Sequence, residues 1–243
     1  MDNQWHTMLN RDGYALLRNR IAPASIRAAL NAIEADRNAH EDPALQHIYD
    51  NQSYCPNLRD APVILNLVRC TEVLEPLGEL LASPVDAGML GHVQIAIRQA
   101  FNAPRRSPEP HLDGFPTLLN GLDGKGGVTP FTVLVGVFLQ GEPGPYAGNL
   151  TVWPGSHRRH ADYFRRRGPR ALQEPMPRLE LGEPKQLELR PGDVVLAHYL
   201  LGHGAAVNTS PTDRIAAYVR LGWPADEDAR WALMSELWGA WRM

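Results

Sequence analysis

Hydrophobic positions change their period near the middle of the chain. Up to about residue 87, apolar side chains recur every three to four residues, as on one face of an α-helix. Helices are predicted over residues 23–37 and 71–81, and Pro23 suits the first turn of the former. Ile26 and Ile33 lie on the side of that helix that we expect to be buried.

From residue 88 onward the pattern favours β-strands. Apolar and polar residues alternate around residues 93–97, and residues 131–139 form a nearly continuous apolar run typical of a strand covered on both faces. Further strands are predicted at 13–17, 187–189, 194–199 and 215–221. Helices that precede many short strands favour a mainly β fold with flanking helices, a closed jelly roll, over a parallel α/β sheet.

The 243 residues contain no internal repeat and no low-complexity linker, which predicts one domain over residues 1–243. We expect a helical N-terminal support over 1–87, a β core over 88–222 and a C-terminal helix over 223–243. That last segment carries Trp231, Trp238 and Trp241 at helical spacing. These rings are expected to pack on the β core. A contact between two copies is the alternative, so the chain is expected to be a monomer or a homodimer.

Composition narrows the classes of partner. With 24 Lys and Arg against 27 Asp and Glu, the net charge of −3 gives no basic field, so nucleic acid is not expected. No segment approaches the roughly 18 apolar residues of a membrane span. Cys55 and Cys70 lack the spacing of a metal site and are expected to be free thiols. Because the first residues lack an apolar signal region, a cytoplasmic protein that acts on a small molecule is expected.

One triplet in the β region has the chemistry of a metal site. His111 and Asp113 are two positions apart on a strand, so their side chains point to the same face. His203, from another strand, would complete two nitrogens and one carboxylate oxygen, the ligand set of non-haem Fe(II) oxygenases. A lone triplet of this kind is common, but further motifs accompany it. They are Gly148-Asn149-Leu150, Trp153-Pro154-Gly155-Ser156-His157, Gly192-Asp193, Asn208 and Arg214.

In combination and in this order, these motifs resemble the phytanoyl-CoA dioxygenase family of Fe(II)- and 2-oxoglutarate-dependent oxygenases, nearly from end to end. The resemblance implies a double-stranded β-helix. It also implies Fe(II) bound by His111, Asp113 and His203, 2-oxoglutarate bound by Arg214, and O2 as the second co-substrate.

The chemistry of Arg214 agrees with that role. When 2-oxoglutarate chelates a metal through its keto and near carboxylate oxygens, its far carboxylate needs a cation. Arg214 follows His203 by eleven positions across a turn-rich segment, so the next strand can return it beside the metal. A planar guanidinium can bind a carboxylate through two parallel hydrogen bonds. The alternative is an arginine at the surface or in an ordinary salt bridge.

Two positions bear on how closely the chain follows the family. Ala205 stands where family members often carry a hydroxyl group that assists the co-substrate carboxylate. Two alternatives follow: Thr132, Tyr218 or Ser210 replaces that hydroxyl, or 2-oxoglutarate binds more weakly. Asp113 is present where related halogenases have Ala or Gly, which predicts a hydroxylase-type centre rather than a halogenase.

Four further residues are candidate ligands for small molecules. Gln94 and Arg98 share one face of the first core strand. If that face lines the barrel, Gln94 would bind 2-oxoglutarate and Arg98 the substrate; if it faces solvent, neither has a role. Phe115 follows the metal triplet closely enough to contact substrate. Arg158 belongs to a basic cluster that forms either a solvated helix face or a rim that attracts anions.

The expected reaction couples decarboxylation of 2-oxoglutarate to hydroxylation of an unactivated C–H bond in a small metabolite or natural-product intermediate, with release of succinate and CO2. Desaturation, epimerisation and cyclisation need the same iron centre and stay open. A cupin-like metal isomerase would not need Arg214, and a non-catalytic binding protein would not need three intact ligands. Both are therefore less favoured alternatives.

Overall fold

The computed structural model describes residues 4–101, 103–122 and 127–242. In these ranges the helices are α1 Gln4–Asp12, α2 Pro23–His40, α3 Gln46–Tyr49, α4 Pro62–Leu65, α5 Thr71–Leu80, α6 Ser156–Arg167 and α7 Glu227–Ser235. The strands are β1 Tyr14–Leu17, β2 Gln94–Arg98, β3 Val133–Gln140, β4 Leu150–Val152, β5 Lys185–Gln186, β6 Val194–His198, β7 His203–Ala205 and β8 Arg214–Leu221.

Two antiparallel sheets form the centre of the molecule. The larger has the strand order β1-β6-β3-β8-β2, and the smaller has the order β5-β4-β7. The predicted mainly β jelly roll with flanking helices is confirmed. The N-terminal region supplies more than helical support, because β1 pairs with β6 at the edge of the larger sheet.

Alternation along β8 separates the two sides of the larger sheet. Ile215, Ala217 and Val219 belong to a hydrophobic core shared with α2, α4 and α5. The residues between them face the smaller sheet, and Tyr218 packs with the second core, which includes Leu150 of β4. Because successive strand residues point to opposite faces, one short sequence both anchors the helices and lines the barrel.

The two predicted N-terminal helices form where expected. In α2, Ile26, Ala29 and Ile33 are buried, which is the apolar face that the periodicity indicates. The second helix, α5, ends at Leu80 and continues through Pro76, which removes one internal hydrogen bond from the helix.

Two predicted elements differ in the structure. The strand expected at residues 187–189 is instead β5, Lys185–Gln186. The C-terminal helix expected over 223–243 is confined to α7. Beyond it residues 237–240 form a turn, and Trp241 then forms an antiparallel bridge with Leu81. Pairing with the end of α5 satisfies backbone groups that a longer helix would have satisfied internally. The aromatic rings still pack on the barrel, since Trp241 stacks on His198 with ring centroids 5.3 Å apart.

Two further findings concern the described helices and cysteines. None of the described helices has both the length and the apolar character needed to cross a membrane. Cys55 and Cys70 are free thiols, and burial raises the pKa of Cys55 to about 12.

Candidate metal centre and co-substrate pocket

A single antiparallel bridge brings the two histidines together. The amide of His111 donates to the carbonyl of His203 at 2.8 Å, and the amide of His203 donates back to the carbonyl of His111 at 3.0 Å. This bridge places the 111 segment beside β7, so the two imidazole centroids lie 4.5 Å apart. Asp113, two residues further on, points to the same site.

The three side chains present one donor atom each to a common point. Nε2 of His111 and Nε2 of His203 each lie 3.5 Å from Oδ1 of Asp113. One donor atom from each member of the triad lies within 4.8 Å of the other two. Two imidazole nitrogens and one carboxylate oxygen are a ligand set that suits Fe(II), so these residues fit the expected metal.

Neighbouring groups orient two of these ligands. Nδ1 of His203 is 3.0 Å from the carbonyl of Leu201, so it carries the proton and leaves Nε2 free to bind a cation. The hydroxyl of Tyr199 donates to the backbone carbonyl of Asp113 at 3.0 Å. Burial raises the pKa of Tyr199 well above its usual value, which keeps this hydroxyl a donor.

The charge on the carboxylate is stabilised locally. Burial opposes ionisation of Asp113, but the nearby Arg220 guanidinium and His203 hold its pKa well below the usual range. Asp113 and His203 are nearly enclosed, with 15% and 12% of their side chains exposed, whereas His111 is 52% exposed. The site therefore opens to solvent on the His111 side.

Arg220 contacts the triad, although the sequence analysis did not single it out. Its Nε and Nη2 donate to Oδ2 of Asp113 at 2.9 and 2.6 Å. Nη2 also donates to Oε1 of Gln94 at 2.9 Å. One signal for this residue was available: Arg220 is six positions after Arg214 on the same strand, so the period of two puts both on one face.

Arg214 is a buried cation inside the barrel. Its side chain is almost fully buried, and its Nε donates to the carbonyl of Gly148 at 2.6 Å. Among the described residues, no Asp or Glu forms an ion pair with it. Burial lowers the pKa of Arg214, and the nearby Tyr218 partly offsets that effect. A buried guanidinium without an acidic partner is a suitable receptor for a carboxylate.

Gly148 permits this close packing. It has a φ of +71°, and an added Cβ would lie 2.9 Å from Cβ of Arg98 and 3.0 Å from Cβ of Arg214. A larger residue would displace one of the two arginines, which explains a glycine in the Gly148-Asn149-Leu150 motif.

Gln94 and Arg98 face the barrel interior, because Ile95 and Ile97 between them belong to the outer core. The structure thus decides between the two alternatives for this strand face. Both ends of the Gln94 amide have protein partners, since Nε2 donates to the carbonyl of Gln52 at 2.5 Å and Oε1 accepts from Arg220.

Arg98 pairs in register with Arg214 across the β2–β8 ladder. Within the part of the chain that the structure describes, its Nη1 makes only long hydrogen bonds of 3.4 Å, to the carbonyls of Asp50 and Ile97. Among the described residues, Arg98 has no acidic partner. Its guanidinium is therefore available to an anion.

Three other candidates have partners elsewhere. Phe115 is buried and packs on Phe164 of α6, with ring centroids 6.4 Å apart. The hydroxyl of Thr132 donates to the carbonyl of Gly222 at 3.2 Å. Nη2 of Arg158 donates to the carbonyl of Asn10 in α1 at 2.7 Å. These contacts are core packing for Phe115, a strand-end hydrogen bond for Thr132 and a helix contact for Arg158, and the binding roles of the three residues stay predictions.

Comparison with known sequences decides the family. The sequence model of phytanoyl-CoA dioxygenase matches residues 9–216. The chain belongs to the phytanoyl-CoA dioxygenase family. This membership, together with the triad, confirms the predicted recognition and supports iron as cofactor and 2-oxoglutarate as co-substrate. No curated protein matches the chain significantly.

Solved structures with the same fold share little sequence with this phytanoyl-CoA dioxygenase family member. The non-haem monooxygenase ThoJ in complex with nickel has 16% identity and a TM-score of 0.59, over 90% of this chain and 77% of that one. The α-ketoglutarate-dependent carbocyclase SnoK from nogalamycin biosynthesis has 17% identity and a TM-score of 0.56, over 90% and 83%. HygX from Streptomyces hygroscopicus, with nickel and 2-oxoglutarate bound, has 15% identity and a TM-score of 0.55, over 91% and 87%.

Proposed function

We propose that this protein is a Fe(II)- and 2-oxoglutarate-dependent dioxygenase that hydroxylates an unactivated C–H bond of a small metabolite or natural-product intermediate. Succinate and CO2 are the accompanying products. The observation that carries the proposal is the convergence of His111, Asp113 and His203 on one point inside a barrel that also buries Arg214 without an acidic partner. Iron and 2-oxoglutarate, when bound, supply the oxidising chemistry that these side chains lack.

Each residue of the pocket has a distinct task. His203 presents Nε2 because Leu201 holds its other ring nitrogen, and Asp113 presents Oδ1 because Oδ2 is engaged by Arg220. Arg214 receives the far carboxylate of 2-oxoglutarate, whose negative charge offsets the cost of a buried cation. Tyr218, on the same face of β8, is our candidate for the hydroxyl group that Ala205 lacks.

Substrate is proposed to enter on the exposed side of His111. Arg98 faces the interior there and lacks an acidic partner among the described residues, so we assign it to an acidic group of the substrate. A small molecule is the expected partner, and a cytoplasmic monomer or homodimer remains the expectation from sequence. Arg214 argues against a cupin-like isomerase that works without 2-oxoglutarate.

Cyclisation is the second candidate outcome. The structurally similar SnoK is described as a carbocyclase, so this fold supports ring formation as well as hydroxylation. Desaturation and epimerisation need no different metal ligands, and the position of the substrate C–H bond relative to the metal decides among them.

The test combines a variant of a candidate metal ligand with a screen for the substrate and its product. Wild-type protein with Fe(II), 2-oxoglutarate and O2 should release succinate, and compounds from a metabolite library should stimulate that release. In chloride-free buffer, Asp113→Ala should reduce the release to background, because no anion then replaces the lost carboxylate ligand. The exposed Asp162→Ala, which loses only a surface pair with Arg165, is the matched control.

Mass spectrometry of the stimulating compound identifies the reaction. Gain of one oxygen supports hydroxylation, whereas loss of two hydrogens supports desaturation or cyclisation. Unchanged succinate release by Asp113→Ala would refute the proposed metal centre.

A further inference from the structure

The two oxygens of the Asp113 carboxylate have different environments. Oδ1 faces both imidazoles, 3.5 Å from each Nε2. Oδ2 faces away from them and accepts two hydrogen bonds from Arg220, of 2.6 and 2.9 Å. One oxygen is thus available to a cation at the triad, while the other is occupied by a guanidinium.

The guanidinium of Arg220 is itself held in place. Its Nη2 also donates to Gln94 Oε1, and the Gln94 amide is in turn anchored on the carbonyl of Gln52. The aromatic ring of Phe131 lies 5.8 Å from the guanidinium carbon, a cation–π distance. Hydrogen bonds hold the edge of the Arg220 guanidinium and Phe131 contacts its face. A rotation of Arg220 away from Asp113 would therefore break several contacts.

A carboxylate can bind a metal through one oxygen or through both. The triad with one oxygen from Asp113 would supply three donors and would leave three of six positions on an iron ion for a chelating 2-oxoglutarate and O2. If Oδ2 also bound the metal, one of those positions would be lost.

We propose that Arg220 is a positioning residue that reserves Oδ2 of Asp113, so that the carboxylate binds the metal through Oδ1 alone and 2-oxoglutarate can chelate through two oxygens. Gln94 supports Arg220 in this task, a role different from the direct contact with 2-oxoglutarate that its sequence position suggested. This inference rests on the proposed metal centre.

The test measures metal binding and co-substrate binding separately. In Arg220→Gln, the dissociation constant of Ni(II), measured by calorimetry, should stay within about threefold of wild type. Two effects on Ni(II) affinity oppose each other in this variant. Asp113 loses the hydrogen bonds from Arg220, which weakens binding, but a positive charge next to the metal disappears, which strengthens it. The dissociation constant of 2-oxoglutarate for the anaerobic Fe(II) protein should rise at least about tenfold, as for other residues that orient metal ligands. The visible charge-transfer absorption of the chelate should weaken.

Two further variants guard against a simple folding defect. Arg18→Gln removes an arginine–aspartate pair of the same length, 2.6 Å to Asp193, which is separate from the triad, and should change neither constant. Gln94→Leu removes the acceptor behind Arg220 and should weaken 2-oxoglutarate binding in the same direction but less. Combined with Arg220→Gln it should add little, because both changes act on one contact chain.

Any other combination of changes in the Ni(II) and 2-oxoglutarate dissociation constants overturns the inference. A parallel loss of Ni(II) and 2-oxoglutarate affinity in Arg220→Gln would indicate a general structural role. Loss of Ni(II) affinity alone, or no change in either constant, would remove the positioning role. If wild-type protein itself binds neither Ni(II) nor 2-oxoglutarate, the proposed function fails instead.

Discussion

Arg214 and Arg220 lie on the same face of one strand and differ in what surrounds them. Arg220 is paired with Asp113 at 2.6 Å, so its charge is balanced within the protein. Arg214 is buried and, among the described residues, has no acidic partner; the carbonyls of Gly148 and Ala96 accept hydrogen bonds from it, and Tyr218 lies nearby. A desolvated cation of this kind is tolerated when a ligand supplies the opposite charge.

Replacement of that cation should therefore separate stability from binding. In Arg214→Met we expect the protein without 2-oxoglutarate to be at least as stable as wild type, since a buried unpaired charge is removed. Binding of 2-oxoglutarate should weaken by at least about 2 kcal/mol, roughly 30-fold. Urea unfolding measures the first effect, and titration of the anaerobic Fe(II) protein measures the second. Unchanged 2-oxoglutarate affinity would contradict the role of Arg214.

At the scale of elements, the β3–β8 pair sets the position of Tyr218 against the larger sheet. Gly136 of β3 is directly opposite Tyr218 in the register. A Cβ added at Gly136 would lie 2.6 Å from Cε1 of the Tyr218 ring. The ring therefore covers this glycine, and the hydroxyl is directed along the strand face that also carries Arg214.

Gly136→Ala should displace that ring. We expect a loss of about 1–3 kcal/mol in unfolding free energy from overpacking. Weaker 2-oxoglutarate binding should accompany it, because Tyr218 is our candidate hydroxyl donor. Gly78→Ala is the matched control: it lies in α5 with open space around its Cβ, and should stabilise by about 0.5–1 kcal/mol through helix propensity. Full stability of Gly136→Ala in thermal and urea unfolding would contradict this account of the packing.

At the scale of the whole molecule, three buried histidines connect the barrel to the segments packed around it. His157 in α6 donates from Nε2 to the carbonyl of Asn10 at 3.2 Å, and His160 in the same helix donates from Nδ1 to the carbonyl of Leu200 at 2.8 Å. His198 at the end of β6 is 2.7 Å from the carbonyl of Leu237. Burial is the main cause that lowers the pKa of His157 and His160 to about 4 and that of His198 to about 3.

These histidines should make folding sensitive to mild acid. The unfolded chain takes up protons near pH 6.5, while the folded protein keeps all three rings neutral, so their contribution is full above that pH. As the pH falls from 6.5 to 5, each histidine lowers the free energy of unfolding by about 2 kcal/mol. Urea unfolding at pH 7.5, 6 and 5 measures the slope.

A variant of a single histidine shows how much that ring contributes to the pH dependence of the free energy of unfolding. His160→Gln should reduce the slope of unfolding free energy against pH by about one third, since one of three titrating rings is removed. A free energy of unfolding that is flat across this pH range in the wild type would contradict the buried, neutral state of the three rings.

The sequence by itself determined the class of fold and the residue types of the candidate metal centre. Period-two spacing puts His111 and Asp113 on one face, and the hydrophobic periods of α2, α5 and β8 indicate their buried sides, because such spacing depends only on local backbone geometry. The long C-terminal helix was the main error: helical spacing of Trp238 and Trp241 also suits rings that pack side by side on a barrel.

Tertiary structure alone decided which side chains meet. The bridge between residues 111 and 203 and the β2–β8 register depend on pairing between distant segments, which no local pattern encodes. That pairing brings Arg220 onto Asp113 and leaves Arg214 unpaired among the described residues. It also gives Thr132 and Arg158 hydrogen-bond partners in the carbonyls of Gly222 and Asn10. Residue types set the chemistry that is available, and strand register sets the distances at which it can operate.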